Sequence, residues 1–294
     1  MKRSKMRKKE LYSYIYLIPG ILLMSLFVVV PVLLSFCMSF FQIMSLGASW
    51  GFVGFGNYAE VFRSEGWLNA IWRTLLYGSW NIVTGTVIGL LLAFCVAKHP
   101  LLNVCRYIFY LPSVVSAITM GRLWNYMLSP TDTGFFNIIF MRMFGLETPV
   151  NWLGDSNIIP LVVMALSLYG AGGGMSLILY TTAINNISKE MLEAAKMEGA
   201  GDIRIALSIE LPMITPIISS MLALAVIGAF KNFEGLYSLI QNAPEVETIA
   251  VLLYKESIAV GQRGYGLASA MGAVLTLIVM IIMTVYIKWP QKEE

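Results

Sequence analysis

The sequence predicts an all-α membrane protein of six transmembrane helices with both termini in the cytoplasm. Three observations carry that prediction: an excess of apolar residues, their concentration in runs of bilayer length, and a lopsided distribution of lysine and arginine. Hydrophobic residues make up 57% of the 294 and charged residues only 13%, about half the roughly 25% of soluble domains. Six runs reach the roughly 20 apolar residues that a bilayer crossing needs: 15–41, 69–97, 108–128, 158–182, 214–240 and 265–287. They leave no room for a separate soluble catalytic domain. The expected organisation is a basic cytoplasmic tail (1–14), a membrane domain (15–287) and a second short tail (288–294).

The first run follows Lys2, Arg3, Lys5, Arg7, Lys8 and Lys9, as a secretory signal would. Its apolar stretch exceeds the roughly 7–15 residues of a signal core, and no small-x-small cleavage site follows. Leu34-Ser35-Phe36-Cys37 approaches a lipoprotein box, but bulky Phe36 beside the cysteine spoils it. The run is read as a retained anchor helix. Cys37, Cys95 and Cys105 lie in or beside the runs. With no disulfide framework or metal spacing among them, they read as small apolar filling.

Orientation follows from the excess of basic residues on the cytoplasmic side of membrane proteins. With the N-terminus inside, the six cations of the tail join Lys98, Arg106, Lys189, Lys196, Arg204, Lys288 and Lys292 on one side. Only Arg63, Arg142, Lys255 and Arg263 fall on the other. Residues 42–68, 129–157 and 241–264 are therefore external, and Trp50, Tyr58, Trp67, Trp124, Tyr126 and Trp152 suit an interfacial aromatic belt. The net charge of +3 needs no nucleic-acid partner to explain it.

One cytoplasmic connection, 183–213, is more than a linker. Ser188 suits an N-cap and Glu190 sits in the first turn, where negative charge favours the dipole. Good helix formers follow until Gly199 and Gly201 stop the helix. Asp202 is placed to cap a second short helix, which Pro212 ends or bends. Leu192, Ala195 and Gly199 share one small, mildly apolar face on which another protein's backbone can approach closely. The same pattern suits an amphipathic helix lying on lipid.

Glu193-Ala194-Ala195, three residues, Gly199-Ala200, and then Leu211-Pro212 resemble the EAA loop of ATP-binding-cassette (ABC) importer permeases. Ala206 stands where the family commonly has an aromatic residue, and Glu198 where it commonly has Asp. The likeness extends through Gly54-Phe55-Gly56-Asn57-Tyr58, Phe230–Tyr237 and Gly264–Ala270. It is closest to the carbohydrate-uptake permeases of the binding-protein-dependent transport inner-membrane family, and to the first permease of each pair, such as the larger maltose permease. Two further departures are Asn242-Ala243-Pro244 for the usual Gly-Gly-Pro and Ile187-Ser188 for a common Ile-Pro. The resemblance implies a bacterial cytoplasmic-membrane importer of a sugar, oligosaccharide or sugar derivative. It implies a second permease subunit, two cytoplasmic ATPase subunits carrying ATP and Mg, and an extracytoplasmic solute-binding protein as partners. In that family the loop is the coupling helix that docks on the ATPase.

Sugar passage needs polar groups and irregular backbone facing a cavity rather than lipid. Gly170-Ala171-Gly172-Gly173-Gly174 in the fourth run either exposes backbone to a ligand or packs closely on a neighbouring helix. By resemblance Gly172 matches a glycine of the maltose permease's substrate site. In the fifth run Lys231, Asn232 and Glu234 interrupt an apolar stretch. Lys231 and Glu234, at i and i+3, either pair with each other or face the passage. Asn232 matches a sugar-contacting asparagine of the maltose permease, with Phe230, Phe233 and Tyr237 as aromatic companions. An unpaired Lys231 on the passage would favour an anionic sugar. His99 is the lone histidine, and no Ser/His/Asp set, phosphate-cradling loop or metal cluster is present. The chain is expected to bind no cofactor and to hydrolyse no ATP itself. Two other classes fit the spans less well: an ion-gradient-driven transporter or channel, which needs more membrane carboxylates than Glu234, and a scaffold or insertase.

Overall fold

The computed structural model describes residues 16–43, 50–98, 103–171, 174–240, 243–259 and 264–288. The basic tail 1–14, residues 289–294, His99 and Gly172 lie outside the described residues. The chain runs α1 (Tyr16–Met38), a strand pair, α2 (Gly56–Arg63), α3 (Glu65–Lys98), α4 (Asn103–Val114), α5 (Ala117–Met127) and α6 (Phe135–Phe144). It continues with α7 (Ile159–Ala171), α8 (Met175–Asn185), α9 (Lys189–Met197), α10 (Asp202–Lys231), α11 (Glu234–Leu239), α12 (Ile249–Tyr254) and α13 (Tyr265–Lys288). Helices α1, α3, α10 and α13 are long and apolar enough to cross a membrane.

Three runs expected as continuous helices are broken. The third divides into α4 and α5 at Ser116, whose extended backbone (φ −56°, ψ 137°) stops the helical ladder. The fourth divides into α7 and α8 beside Gly174, which takes the left-handed φ of +77° that glycine tolerates. Its N–H donates to Phe109 O at 3.2 Å, so the break leaves that donor satisfied, as an apolar medium requires. The fifth run ends its long helix at Lys231; Asn232 is extended (ψ 101°), and α11 restarts the helix.

The all-α expectation meets one small exception, an antiparallel pair β1 (Phe41–Gln42) and β2 (Gly51–Phe52) between α1 and α2. The stretches expected to be external also carry α2 and α6, which hydropathy alone read as loop.

The chain folds as two compact units. In the first, residues 1–65 and 253–278, Asn57 organises the turn after α1. Its Nδ2 donates to Ser39 O at 2.8 Å and Phe41 O at 2.9 Å, while Ser39 and Tyr58 share a hydroxyl hydrogen bond of 2.6 Å. Tyr265 N donates to Ile43 O at 2.8 Å, and a Cβ at Gly266 would collide with Phe41 O. The Gly54–Tyr58 and Gly264–Ala270 motifs thus serve one anchored corner. No residue in the most apolar stretch of α1 is buried, so that helix presents its apolar surface outward.

The second unit, residues 66–252 and 279–294, has two apolar clusters. One gathers Tyr77, Leu128, Ile159, Leu239 and Val246 with Trp124 and Trp152. The other gathers Ala93, Leu177, Tyr180, Ile184 and Ile214 near the loop-side helix ends. Trp80 Nε1 donates to Met164 O (3.0 Å) and Asn125 Nδ2 to Leu239 O (2.7 Å), tying α3 to α7 and α5 to α11. In the 129–157 stretch, fully buried Asn137 donates to Ser129 O, Thr131 O and Val150 O and accepts from Val150 N and Trp152 Nε1. Nearby, Ser156 Oγ donates to Glu245 at 2.8 Å, and that hydrogen bond holds the Glu245 carboxyl below its ordinary pKa.

Candidate substrate cavity and coupling loop

A cavity of about 580 Å³ lies among α3, α5, α7, α10 and α11, within the 300–1,000 Å³ range of small-molecule sites. Helical spacing builds its walls. Thr74, Tyr77, Gly78 and Asn81 form one stripe of α3, and Ala117, Met120, Gly121 and Trp124 one stripe of α5. Small residues let these helices approach closely. A Cβ on Gly78 would stand 2.9 Å from the Ala229 Cβ, and one on Gly121 would strike Ser238 Oγ and Gly235 O.

The polar groups in the cavity wall are the hydroxyls of Thr74, Tyr77, Ser167 and Thr248, the amides of Asn81 and Asn232, and the Trp124 indole. No described lining residue carries a charge. Thr74 Oγ1 donates to Ala70 O at 2.7 Å and accepts from Ile249 N at 2.9 Å, so it is already engaged within the protein. Ser167 Oγ likewise donates to Met164 O at 2.6 Å. Thr248 Oγ1 is buried and has no hydrogen-bond partner among the described residues.

Of the residues singled out from sequence, Asn232 lines this cavity, placed there by the break after Lys231. Lys231, Phe230, Phe233, Glu234 and Tyr237 are not among its lining residues. Lys231 ends α10 and Glu234 begins α11, so their i, i+3 spacing does not lie on one helix. Gly172 is outside the described residues; its neighbour Gly174 serves the break and the close approach to α4 (a Cβ there would lie 3.3 Å from the Ser113 Cβ). Sequence reading missed Thr74, Tyr77, Asn81, Ser167 and Thr248. The first three were legible as a polar stripe at helical spacing inside an apolar run.

The loop after α8 folds much as its residues direct. Ser188 caps α9, its Oγ accepting from Met191 N at 3.2 Å, and Glu190 lies in the first turn. At the other end Gly199 takes φ +83°, with Gly199 N donating to Lys196 O (2.9 Å) and Ala200 N to Ala195 O (3.0 Å). That left-handed glycine is why the helix stops there. Two details differ from the expectation. Gly201, not Asp202, is the N-cap of the next helix, with Asp202 in its first turn. That helix does not end at Pro212 but continues to Lys231 through a wide turn at Ala206–Glu210, where Leu211 N donates to Ala206 O. Pro212 lacks the N–H that a regular ladder would use, and the turn widens just before it.

The face expected to meet a partner is also redistributed. Leu192 packs against the cluster of Ala93, Tyr180 and Ile214. Glu193 and Ala194 are exposed, and the large apolar side chains turned outward include Met191, Met197, Ile203 and Leu207, with Met197 90% exposed. Leu211 and Pro212 begin the regular part of α10. Below the loop, Lys98, Asn185, Lys189, Lys196, Asp202 and Glu210 border a second cavity of about 370 Å³.

The comparisons with known proteins agree with this architecture. Residues 81–290 match the family described as the binding-protein-dependent transport system inner membrane component. The chain is 27% identical to the arabinooligosaccharides transport system permease protein AraP of Bacillus subtilis (strain 168), over 97% of this chain and 90% of that protein. Its fold resembles a chain in the crystal structure of a bacterial ABC transporter that imports the acidic polysaccharide alginate, with a TM-score of 0.85 at 23% identity over 100% of this chain and 99% of that one. A second structure, of a bacterial alginate ABC transporter with an alginate pentasaccharide-bound periplasmic protein, gives a TM-score of 0.83 at 24% identity, covering 96% and 94%. The chain belongs to the family of binding-protein-dependent transport system inner membrane components and is a multi-pass membrane protein.

Proposed function

We propose that this chain is a permease subunit of an ABC importer that moves a sugar, oligosaccharide or sugar derivative across the cytoplasmic membrane by alternating access. The observation that carries the sugar reading is the uncharged cavity around Asn232, where hydroxyls, amides and an indole surround a space of ligand size. Sugars present hydroxyls and apolar ring faces, which such groups match by hydrogen bonding and stacking. The arabino-oligosaccharide permease in the same family supports the substrate class.

In this reading six segments cross the membrane with both termini inside, the third, fourth and fifth each built from two helices. A solute-binding protein delivers substrate from outside. A second permease completes the passage, and two ATPase subunits, which hold the ATP and Mg, engage the loop 183–213. Glu193, Ala194 and Gly199 form its exposed knob with half-buried Ala195 and Ala200, flanked by Met197 and Ile203, while Leu211 and Pro212 connect it to the regular part of α10. The chain itself performs no chemistry and binds no cofactor. Substrate contact is assigned to Asn232; Phe230, Lys231, Phe233, Glu234 and Tyr237 flank the same break without lining the cavity.

Uptake by vesicles containing the complete importer tests the reading. A radiolabelled pool of arabino-, malto- and cello-oligosaccharides should enter only with ATP and the solute-binding protein, and a protonophore should leave the rate unchanged. Uptake by this chain alone, driven by an ion gradient, would overturn the proposal in favour of a secondary transporter.

A further inference from the structure

We propose that Glu210 is a positioning residue for coupling: its buried carboxylate ties the cytoplasmic loop to the end of α3, so that loop movement is transmitted to that helix. The proposal rests on reading 183–213 as the coupling loop, and concerns a different part of it from the exposed knob. Glu210 is only 4% exposed, and its Oε2 has no hydrogen-bond partner among the described residues. It borders the second cavity together with Lys98, Lys189, Lys196 and Asp202. Lys98 is the last residue of α3, and its Nζ donates to Asp202 O at 3.0 Å. One lysine thus already joins the end of α3 to the start of α10.

Electrostatics explains why this joint responds to movement. A carboxylate withdrawn from water needs compensating charge. Burial is the largest influence on Glu210 and raises its pKa; of the charged groups that act on it, the cations Lys98 and Lys196 oppose that rise and the anion Asp202 adds to it. They sit on three different pieces: α3, α9 and the first turn of α10. Displacing α9 or the end of α3 removes a cation from the buried carboxylate while Asp202 remains on the same helix, so the pieces favour moving together.

Backbone geometry adds a second observation. Glu210 closes the wide Ala206–Glu210 turn, and an extra residue in a helical turn rotates the remainder of the helix by about 100° relative to a regular one. Such turns are rare and concentrate at functional positions. Docking on the exposed Glu193 and Met197 surface makes no use of either feature.

The test compares Glu210→Gln with wild type in the complete importer, using the oligosaccharide pool above as probe. Glu210→Gln should retain its ATPase subunits through purification, while the sugar moved per ATP hydrolysed falls roughly tenfold, within the usual span of coupling energies. Charge exchange supplies the reading that a merely structural role would not give. Glu210→Lys should lose coupling, and Glu210→Lys with Lys98→Glu should recover a substantial part. A wild-type ratio for Glu210→Gln, or no recovery in the exchanged pair, overturns the proposal. If Glu210→Gln lowers the amount of folded protein, Lys98→Gln, at the exposed end of α3, must show the same loss of ratio. The knob variant Glu193→Lys separates the two readings. If it keeps the ATPase bound, the loop assignment itself fails; if it loses the ATPase while Glu210→Gln couples normally, only the role of Glu210 fails.

Discussion

Asn137 and Asn232 show two opposite uses of one side chain. Asn137 is fully buried and its amide meets five backbone and side-chain partners. Asn137→Ala leaves several of them unpaired, at about 1–3 kcal/mol each. Its thermal unfolding midpoint in detergent should fall clearly below wild type; an unchanged midpoint would contradict the assigned role. Asn232 faces the cavity instead, so Asn232→Ala should lower sugar uptake while leaving that midpoint nearly unmoved. Lys231 is not a cavity-lining residue, so Lys231→Ala should change uptake of acidic and neutral oligosaccharides alike or not at all; selective loss of acidic-sugar uptake would show that it faces the passage. Asn232 was legible because a polar residue in an apolar run needs a reason. Asn137 was not, because its partners lie between six and fifteen residues away and only the fold assembles them.

Helix ends were more readable than helix interruptions. Ser188 and Gly199 identified both limits of α9, because caps and left-handed glycines act through their nearest neighbours. Ser188→Ala should cost about 1 kcal/mol, and Gly199→Val adds a left-handed strain of about 1–2 kcal/mol. Both should increase amide hydrogen exchange in 189–197 relative to wild type; unchanged exchange would contradict the capping account. The breaks at Ser116 and Gly174 were hidden, since hydropathy sums over many residues and a single extended or left-handed residue barely alters it. Leu192 misled for a related reason. Periodicity placed it on a face, but not whether that face meets this chain's own helices or another protein, and it meets its own.

For the whole molecule, apolar runs and charge placement gave the class, and the family match confirms membership. The cavity could not be read from any one run, because its walls come from five helices. In the proposed division of labour this chain forms the passage and receives movement through its loop, while partner subunits hydrolyse ATP. Glu193→Lys, an exposed change on α9, tests it most directly in a pull-down of the detergent-solubilised importer through a tag on this chain. The account predicts that the variant is present at wild-type level in the membrane but no longer retains the ATPase subunits, and that uptake stops. Retention of those subunits with normal substrate-stimulated hydrolysis would contradict it.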